Sequence, residues 1–303
     1  MTDSVYKNPN KFIQFELWKD CSIGCRFCCN KGQPKIDKTK SLKKIIELLS
    51  NNDIINRYNE IGIIGGELFN GEYKEVEELF YKLLDKIISC NFDKIYMATS
   101  LIFDLHDYLI PVLEYLRKNN CLDKCWICTS YDLAFRFKTQ EKLDLWKNNM
   151  KFLESNYSEV HTHVETIITQ HFINAVLNKE FDLQNFCNYF HTQIDFIEPA
   201  SGLYYVGKQD CEKDCPGFFP TKRSFIKVLP KLAKVVDLNS LLSMELRSET
   251  LYYYADGEFR LADNRRNGDG RCLLNDNKKY EIGFIDSDTP MRDVVIEYCK
   301  LIG

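Results

Sequence analysis

The sequence lacks any long run of apolar residues. Its 303 residues contain no stretch of 18 or more apolar residues, so no segment is predicted to cross a membrane as a helix. The first residues, MTDSVYKNPNK, also lack the apolar core of a secretory signal peptide. We therefore expect a cytoplasmic protein that has no membrane partner.

An excess of positive charge is missing as well. The formal net charge is −4 and the isoelectric point is near 5.8, which gives the chain as a whole no general attraction to nucleic acids or anionic lipids. Internal repeats and low-complexity segments are absent too. Because 45% of the residues are hydrophobic, the chain can form a large core, either as one α/β domain or as a domain with an appendage.

Cysteine, by contrast, is abundant. The chain has 13 cysteines. Disulfides do not explain them, because we expect a reducing compartment. There, clustered thiols are typical of metal or redox sites, whereas isolated thiols are usually small buried apolar residues. Cys90, Cys187 and Cys299 each lie in a helical pattern, and we predict that they belong to the core.

Strand-like and helix-like segments alternate over the first two thirds of the chain. Helical patterns separate six short apolar runs, which are residues 11–18, 60–65, 94–99, 124–130, 161–168 and 193–198. Such alternation predicts an α/β fold with parallel strands and crossover helices, a partial (β/α)6 barrel of the TIM type. Among the helices we expect one over 41–51, capped by Ser41, and a single one over 171–189.

The rhythm changes after about residue 205. The remainder contains a loop with two cysteines, a helical pattern, a hairpin-like stretch YYYADGEFRLA with Asp256 and Gly257 at its turn, and a last helix over 289–301. We therefore predict two parts, a core over residues 11–205 and a smaller α+β C-terminal extension over 206–303.

Three cysteines follow the first strand at the spacing C-x3-C-x2-C. Cys21, Cys25 and Cys28 would lie in the loop after that strand, at the barrel end that carries the chemistry in folds of this kind. Three thiolates on one loop can ligate three irons of a [4Fe–4S] cluster and leave the fourth iron open. Zinc is the competing ion, but a structural zinc site requires four protein ligands, and Cys29 directly follows Cys28.

The stretch CSIGCRFC resembles the signature of the radical S-adenosylmethionine (radical SAM) superfamily. A second landmark of that superfamily, a GGE motif after the second strand, has its counterpart in IGIIGGELF, with Gly65, Gly66 and Glu67 at the strand end. Leu68 stands where the family often has proline. The resemblance covers about residues 11–205 and agrees with the barrel predicted above.

The resemblance implies a cofactor and a co-substrate. Cys21, Cys25 and Cys28 would hold a [4Fe–4S] cluster, whose open iron would bind the methionine moiety of SAM. The backbone of Gly65 and Gly66 could approach that moiety closely, because glycine has no Cβ atom. Glu67 would accept a hydrogen bond from the SAM ammonium group.

Further SAM-binding positions are implied at the other strand ends. Asp132 and Ser130 are expected near the ribose, and Arg136 near the methionine carboxylate. Each of these residues also has an ordinary explanation as a loop cap or a surface group. The full set of these weaker candidates is Phe27 and Ile167 near the adenine, together with Thr99, Ser100, Ser130, Asp132, Arg136 and Glu198.

Two other cysteine groups need separate explanations. CLDKCWIC repeats the ligand spacing at Cys121, Cys125 and Cys128, but residues three apart on a strand point to opposite faces, so we predict structural cysteines there. The C-terminal part resembles the SPASM or twitch appendages of some radical SAM enzymes and would cap the substrate. Its cysteines, Cys211, Cys215, Cys272 and Cys299, lack the expected one after the Asp256-Gly257 turn. We therefore predict a single cluster per chain.

The implied activity is reductive cleavage of SAM to a 5′-deoxyadenosyl radical that abstracts hydrogen from a substrate. We expect a small molecule or a nucleotide as substrate and flavodoxin or ferredoxin as electron donor. A peptide or protein substrate is the alternative within this class. A non-catalytic metal-binding or regulatory protein on a degenerate fold is the alternative from another class.

Overall fold

The structure is a computed structural model that describes most of the chain. The residues described are 11–26, 28, 35–132, 134–200, 207–236, 249–255, 257, 259–261, 271–274 and 278–302. Phe27, Cys29 and Asp256, which the sequence analysis discussed, lie outside these residues. The side chain of Cys272 also lies outside the description, although its strand is within it.

A curled sheet with parallel strands forms the centre of the fold. Its first six strands are β1 (Lys11–Glu16), β2 (Glu60–Ile64), β3 (Lys94–Ala98), β4 (Cys125–Ser130), β5 (His161–Ile167) and β6 (Gln193–Ile197). Each pairs in parallel with the next along the chain. The predicted α/β fold with a partial TIM-like barrel is thereby confirmed.

Helices connect these strands and cover one face of the sheet. They are α1 (Lys38–Leu48), α2 (Asn52–Ile55), α3 (Glu77–Ser89), α4 (Leu105–Lys118), α5 (Gln140–Asn156), α6 (Gln170–Leu177) and α7 (Leu183–Phe190). The predicted cap at Ser41 is wrong, because α1 begins three residues earlier and Asp37 accepts from the backbone N–H of Lys40. The single helix predicted over 171–189 is two helices, and Asp182 caps the second.

The C-terminal part contributes one strand to the central sheet. Its elements are α8 (Lys208–Asp214), α9 (Lys222–Leu232), β7 (Glu249–Tyr253), β8 (Phe259–Leu261), β9 (Arg271–Leu274), β10 (Lys278–Glu281) and α10 (Met291–Ile302). Strand β7 pairs in parallel with β1, opposite β2, and β8 returns antiparallel beside it, so the sheet order is β6-β5-β4-β3-β2-β1-β7-β8. This seventh parallel strand covers the edge that β1 would otherwise expose. The boundary near residue 205 remains a prediction.

Burial alternates along β3 and β4, whereas the three middle residues of β2 are all buried. On β4, Cys125 is fully buried under the helices, whereas Cys128, three residues on, is half-buried on the other face. Their divergence agrees with the structural role predicted for them. Cys90, Cys187 and Cys299 are half-buried and pack against the main core, as predicted. Among the described helices, none has the length and apolar character needed to span a membrane.

Candidate functional site

The cysteine loop and the GGE turn are joined backbone to backbone. Both follow neighbouring parallel strands, β1 and β2, and so leave the sheet at the same edge. The N–H of Gly66 donates to the carbonyl of Trp18 over 2.9 Å, and the N–H of Glu67 donates to the carbonyl of Asp20 over 3.0 Å. Asp20 directly precedes Cys21, so these two bonds fix the start of the loop against the turn.

This close approach explains why glycine occupies position 66. A Cβ atom on Gly66 would lie 2.1 Å from the carbonyl oxygen of Asp20, and one on Gly65 would lie 3.0 Å from that of Trp18. A contact of 2.1 Å with backbone requires the chain to move. From the sequence, the two glycines are expected to admit the methionine moiety. The contacts observed for Gly66 are with the cysteine loop itself.

Glu67 is held by three donors at this edge. Its side chain is only 1% exposed. Oε1 accepts from the Thr99 hydroxyl over 2.6 Å and from the N–H of Phe69 over 3.1 Å, and Oε2 accepts from the N–H of Ser100 over 2.6 Å. An ionised carboxylate has about four acceptor positions, so these three bonds leave room for a further donor. Three sequence-predicted residues, Glu67, Thr99 and Ser100, are thus brought together.

The three cysteines of the loop are free thiols that are partly shielded from water. Cys25 is buried, and Cys21 and Cys28 are half-buried. Burial raises the pKa of the Cys21 thiol to about 11, and the charges of Glu67 and Cys28 add to this rise. Burial also raises the pKa of Cys25, whereas the positive charge of Arg136 opposes that rise. The loop is hydrogen-bonded to the GGE turn and, through Arg26, to the turn that carries Arg136, and a metal bound there would favour the thiolate forms.

Three thiols on one loop could each ligate a different iron of a [4Fe–4S] cluster. Within the part of the chain that the structure describes, no three His, Cys, Asp or Glu side chains are gathered closely enough to hold one ion. The fourth iron of such a cluster would have no protein ligand from this loop. In the turn that is hydrogen-bonded to the loop through Phe135, the buried Nε of Arg136 has no hydrogen-bond partner among the described residues. That donor is available to an anionic group of a ligand.

Asp132 caps the turn that follows β4. Its side chain is buried, and Oδ1 accepts from the N–H groups of Ala134, Phe135 and Arg136. Burial raises the pKa of this carboxyl, and the three hydrogen bonds oppose the rise. The N–H of Arg26 donates to the carbonyl of Phe135 over 3.4 Å, so the capped turn lies against the cysteine loop. Asp132 therefore positions Arg136, and its predicted contact with the ribose stays a prediction.

The remaining candidates have packing or capping contacts. Ser130 is half-buried at the end of β4. Ile167 packs against a small apolar cluster of Phe135, Cys211, Cys215, Phe218 and Phe219. Oε1 of Glu198 accepts from the N–H of Met291 over 3.2 Å, which ties the end of β6 to the start of α10. Phe27 lies outside the described residues. The predicted cofactor contacts of these residues are not tested by these observations.

Sequence reasoning missed one residue of the site, Lys38. Its Nζ lies 2.6 Å from Oε2 of Glu72, 2.9 Å from Oε2 of Glu75 and 4.0 Å from Oδ2 of Asp20, and 5.7 Å from the centre of the Trp18 ring. Lys38 lies at the start of α1, after the cysteine loop. Its contacts therefore connect the end of that loop with Asp20 at its beginning and with Glu72 and Glu75 after the GGE turn. No local pattern indicates this, because Glu72 and Glu75 are 34 and 37 residues away.

Known structures share this fold. No protein-family model and no curated protein matches the chain. SuiB from Streptococcus suis, solved with bound S-adenosylmethionine, superposes with a TM-score of 0.51 and 11% identity over 86% of this chain. Native anSMEcpe with bound AdoMet and Cp18Cys peptide gives a TM-score of 0.53 and 13% identity over 84% of this chain and 74% of its own. The chain covers 63% of SuiB, less than two thirds of its length. Both are radical SAM enzymes, and at this identity the likeness is one of fold.

Proposed function

We propose that this chain is a radical SAM enzyme. The observation that carries the proposal is the junction of two sequence landmarks in space: the loop with Cys21, Cys25 and Cys28 is hydrogen-bonded through its first residues to the GGE turn. If the loop had only a structural role, the cysteine motif and the GGE motif would have no need to lie together. Their union at the carboxyl edge of a half-barrel of radical SAM fold supports a common function.

Cys21, Cys25 and Cys28 would hold the cluster. When bound, a reduced [4Fe–4S] cluster would supply one electron to the sulfonium group of SAM, whose cleavage gives a 5′-deoxyadenosyl radical and methionine. The chain contributes three thiolates, a half-buried site and a set of fixed polar groups around it. Burial of Cys25 and the packing of the capped turn against the loop limit the access of water.

Glu67 would bind the ammonium group of SAM. Thr99, Ser100 and Phe69 orient its carboxylate and use three of its acceptor positions, so the side chain need not reorganise to receive a cation. Arg136 follows Phe135, which is hydrogen-bonded to the cysteine loop, and its Nε has no partner among the described residues, so it would pair with the methionine carboxylate. Glu67 and Arg136 would then bind the ammonium and the carboxylate groups of the methionine moiety.

The substrate is proposed to be a small molecule or a nucleotide. The chain has no overall positive charge to attract a large nucleic acid. A peptide substrate is the second candidate, because one structure of similar fold was solved with a bound peptide.

Anaerobic reconstitution followed by assay of SAM cleavage tests the proposal. Protein reduced with dithionite should form 5′-deoxyadenosine slowly without substrate, and its absorbance should show an iron–sulfur chromophore, which zinc would not give. Cys28→Ala should abolish both. Cys90→Ala, which changes a half-buried cysteine of the core, is the matched control and should retain both. Cleavage at the parental rate in Cys28→Ala would refute the proposal.

A further inference from the structure

Positive charge is concentrated around the cysteine loop although the chain is acidic as a whole. Residues 19–44 contain eight lysines or arginines and two aspartates, a formal charge of +6. The rest of the chain contains 32 basic and 42 acidic residues, a formal charge of −10. The segment that contains the proposed metal-ligand cysteines therefore carries a net charge opposite in sign to that of the remaining chain.

Several of these charges lie together on the surface. Arg26 is exposed within the cysteine loop, and Lys35 is exposed just before α1, 3.7 Å from Asp20. On the other side of the loop, Nζ of the exposed Lys138 lies 2.9 Å from where a Cβ atom of Gly24 would be. Together with three exposed lysines of α1, these residues form the basic rim, defined as Arg26, Lys35, Lys40, Lys43, Lys44 and Lys138.

Little within the described residues neutralises the α1 part of this rim. Lys44 has an ion pair with Glu47 at 3.0 Å, whereas neither Lys40 nor Lys43 forms an ion pair or hydrogen bond through its side chain with a described residue. The acidic groups nearest in sequence are already engaged, because Asp37 caps α1 and Asp20 lies near Lys35 and Lys38. The excess positive charge is thus open to a partner.

The α1 lysines also border a concave surface. A cavity of about 890 Å³ lies between the first turns of α1 and the turn after β7. Its charged lining residues are three lysines and two carboxylates, namely Lys40, Lys43, Lys44, Asp37 and Glu47. Strand β8 returns antiparallel beside β7. The cavity gives the basic rim a groove that acidic side chains of another protein can enter.

We infer that the basic rim is the docking surface for an acidic electron-carrier protein. This inference rests on the proposed function, which requires one electron per SAM cleaved from outside the chain. In the complex, one electron leaves the reduced carrier and enters the metal group at the cysteine loop, and no bond forms or breaks at the interface. An acidic carrier is repelled by the rest of the chain and attracted to the rim, which steers it to the loop that receives the electron. Small, transient interfaces are typical of such complexes.

Charge-reversal variants test the inference by binding. The probe is a purified flavodoxin with an acidic surface, titrated calorimetrically into the full chain. Lys40→Glu/Lys43→Glu should raise the Kd for flavodoxin by about tenfold or more, and the neutralising pair Lys40→Gln/Lys43→Gln should raise it less. Raising NaCl from about 50 to about 300 mM should weaken parental binding by about tenfold, because screening shortens the range of the attraction. Unchanged binding in both variants would overturn the inference.

A matched variant and a second reductant separate this inference from the proposed function. Lys227→Glu/Lys300→Glu reverses two exposed charges on α9 and α10, near the β6 end of the sheet, and should leave the flavodoxin Kd unchanged. Dithionite needs no docking surface, so all variants should cleave SAM with it at the parental rate. No cleavage by the parent would refute the proposed function, whereas parental cleavage with unaltered flavodoxin binding would refute only the docking surface. Tighter binding of a short DNA duplex, lost in the same variants, would overturn the inference in favour of nucleic acid.

Discussion

The hydroxyl of Thr99 donates to Oε1 of Glu67 over 2.6 Å. This bond joins the end of β3 to the turn after β2 and sets the direction of a carboxylate that is almost completely buried. A buried carboxylate is stable only when donors satisfy it. The bond therefore serves both the fold and the site, and the two roles can be separated by experiment.

Thr99→Val should weaken SAM binding as well as the fold. It removes one charge-assisted hydrogen bond, a loss of about 1.5–3 kcal/mol for Glu67, and should raise the Kd for SAM by about tenfold in calorimetric titrations. Thr129→Val is the matched control, since Thr129 accepts from Nε1 of Trp146 in the core. It should lower the free energy of unfolding and leave SAM affinity unchanged. Equal SAM affinities in parent and Thr99→Val would argue against the role of Glu67.

Gly66→Ala should prevent the cysteine loop from loading iron normally. The added Cβ would lie 2.1 Å from the carbonyl of Asp20, so the turn and the loop must separate. Iron analysis after anaerobic reconstitution measures the effect. Gly207→Ala serves as the control, because its Cβ would meet only the carboxylate of Glu281, at 3.0 Å. A Gly66→Ala protein with full iron content would show that the junction is dispensable.

Lys38→Met should destabilise the protein and loosen the loop. It leaves Glu72, which is mostly buried, without its cation. We expect the free energy of unfolding to fall by about 2–3 kcal/mol, less than for a fully buried pair because Glu75 is exposed. Denaturant titration measures this, and Lys38→Arg should restore part of it. The exposed pair of Lys82 and Glu78 provides the comparison, since Lys82→Met should change stability by less than about 0.5 kcal/mol.

Cys211 and Cys215 should be structural rather than ligands of a second cluster. Both are fully buried, and burial raises the pKa of Cys211 to about 12. Thiols in this state react poorly, so neither should be alkylated by iodoacetamide at neutral pH until the protein is unfolded. The double variant Cys211→Ala/Cys215→Ala should retain the parental iron content. A loss of about half the iron would instead indicate a second cluster there.

The sequence was informative where a feature is local. Alternating apolar runs identified six strands of the half-barrel, and the spacing of Cys21, Cys25 and Cys28 identified the loop. Contacts between distant segments left no such pattern. Strand β7 pairs with β1 from more than 230 residues away. Lys38 is buried against Glu72 and Glu75, and in the sequence these two glutamates look like ordinary surface residues. Asp132 shows a different limit, because a carboxylate that caps a turn and one that binds a ligand look alike in sequence.

The most direct test of the account is the electron paramagnetic resonance spectrum of the reduced, reconstituted protein with and without SAM. The parent should contain about four irons per chain, and its signal should change shape when SAM is added, because SAM would bind at the open iron. The variant with Cys21, Cys25 and Cys28 all changed to alanine should contain almost no iron and give no signal. An intact signal and about four irons in that variant would contradict the account, since the metal would then be held elsewhere in the chain.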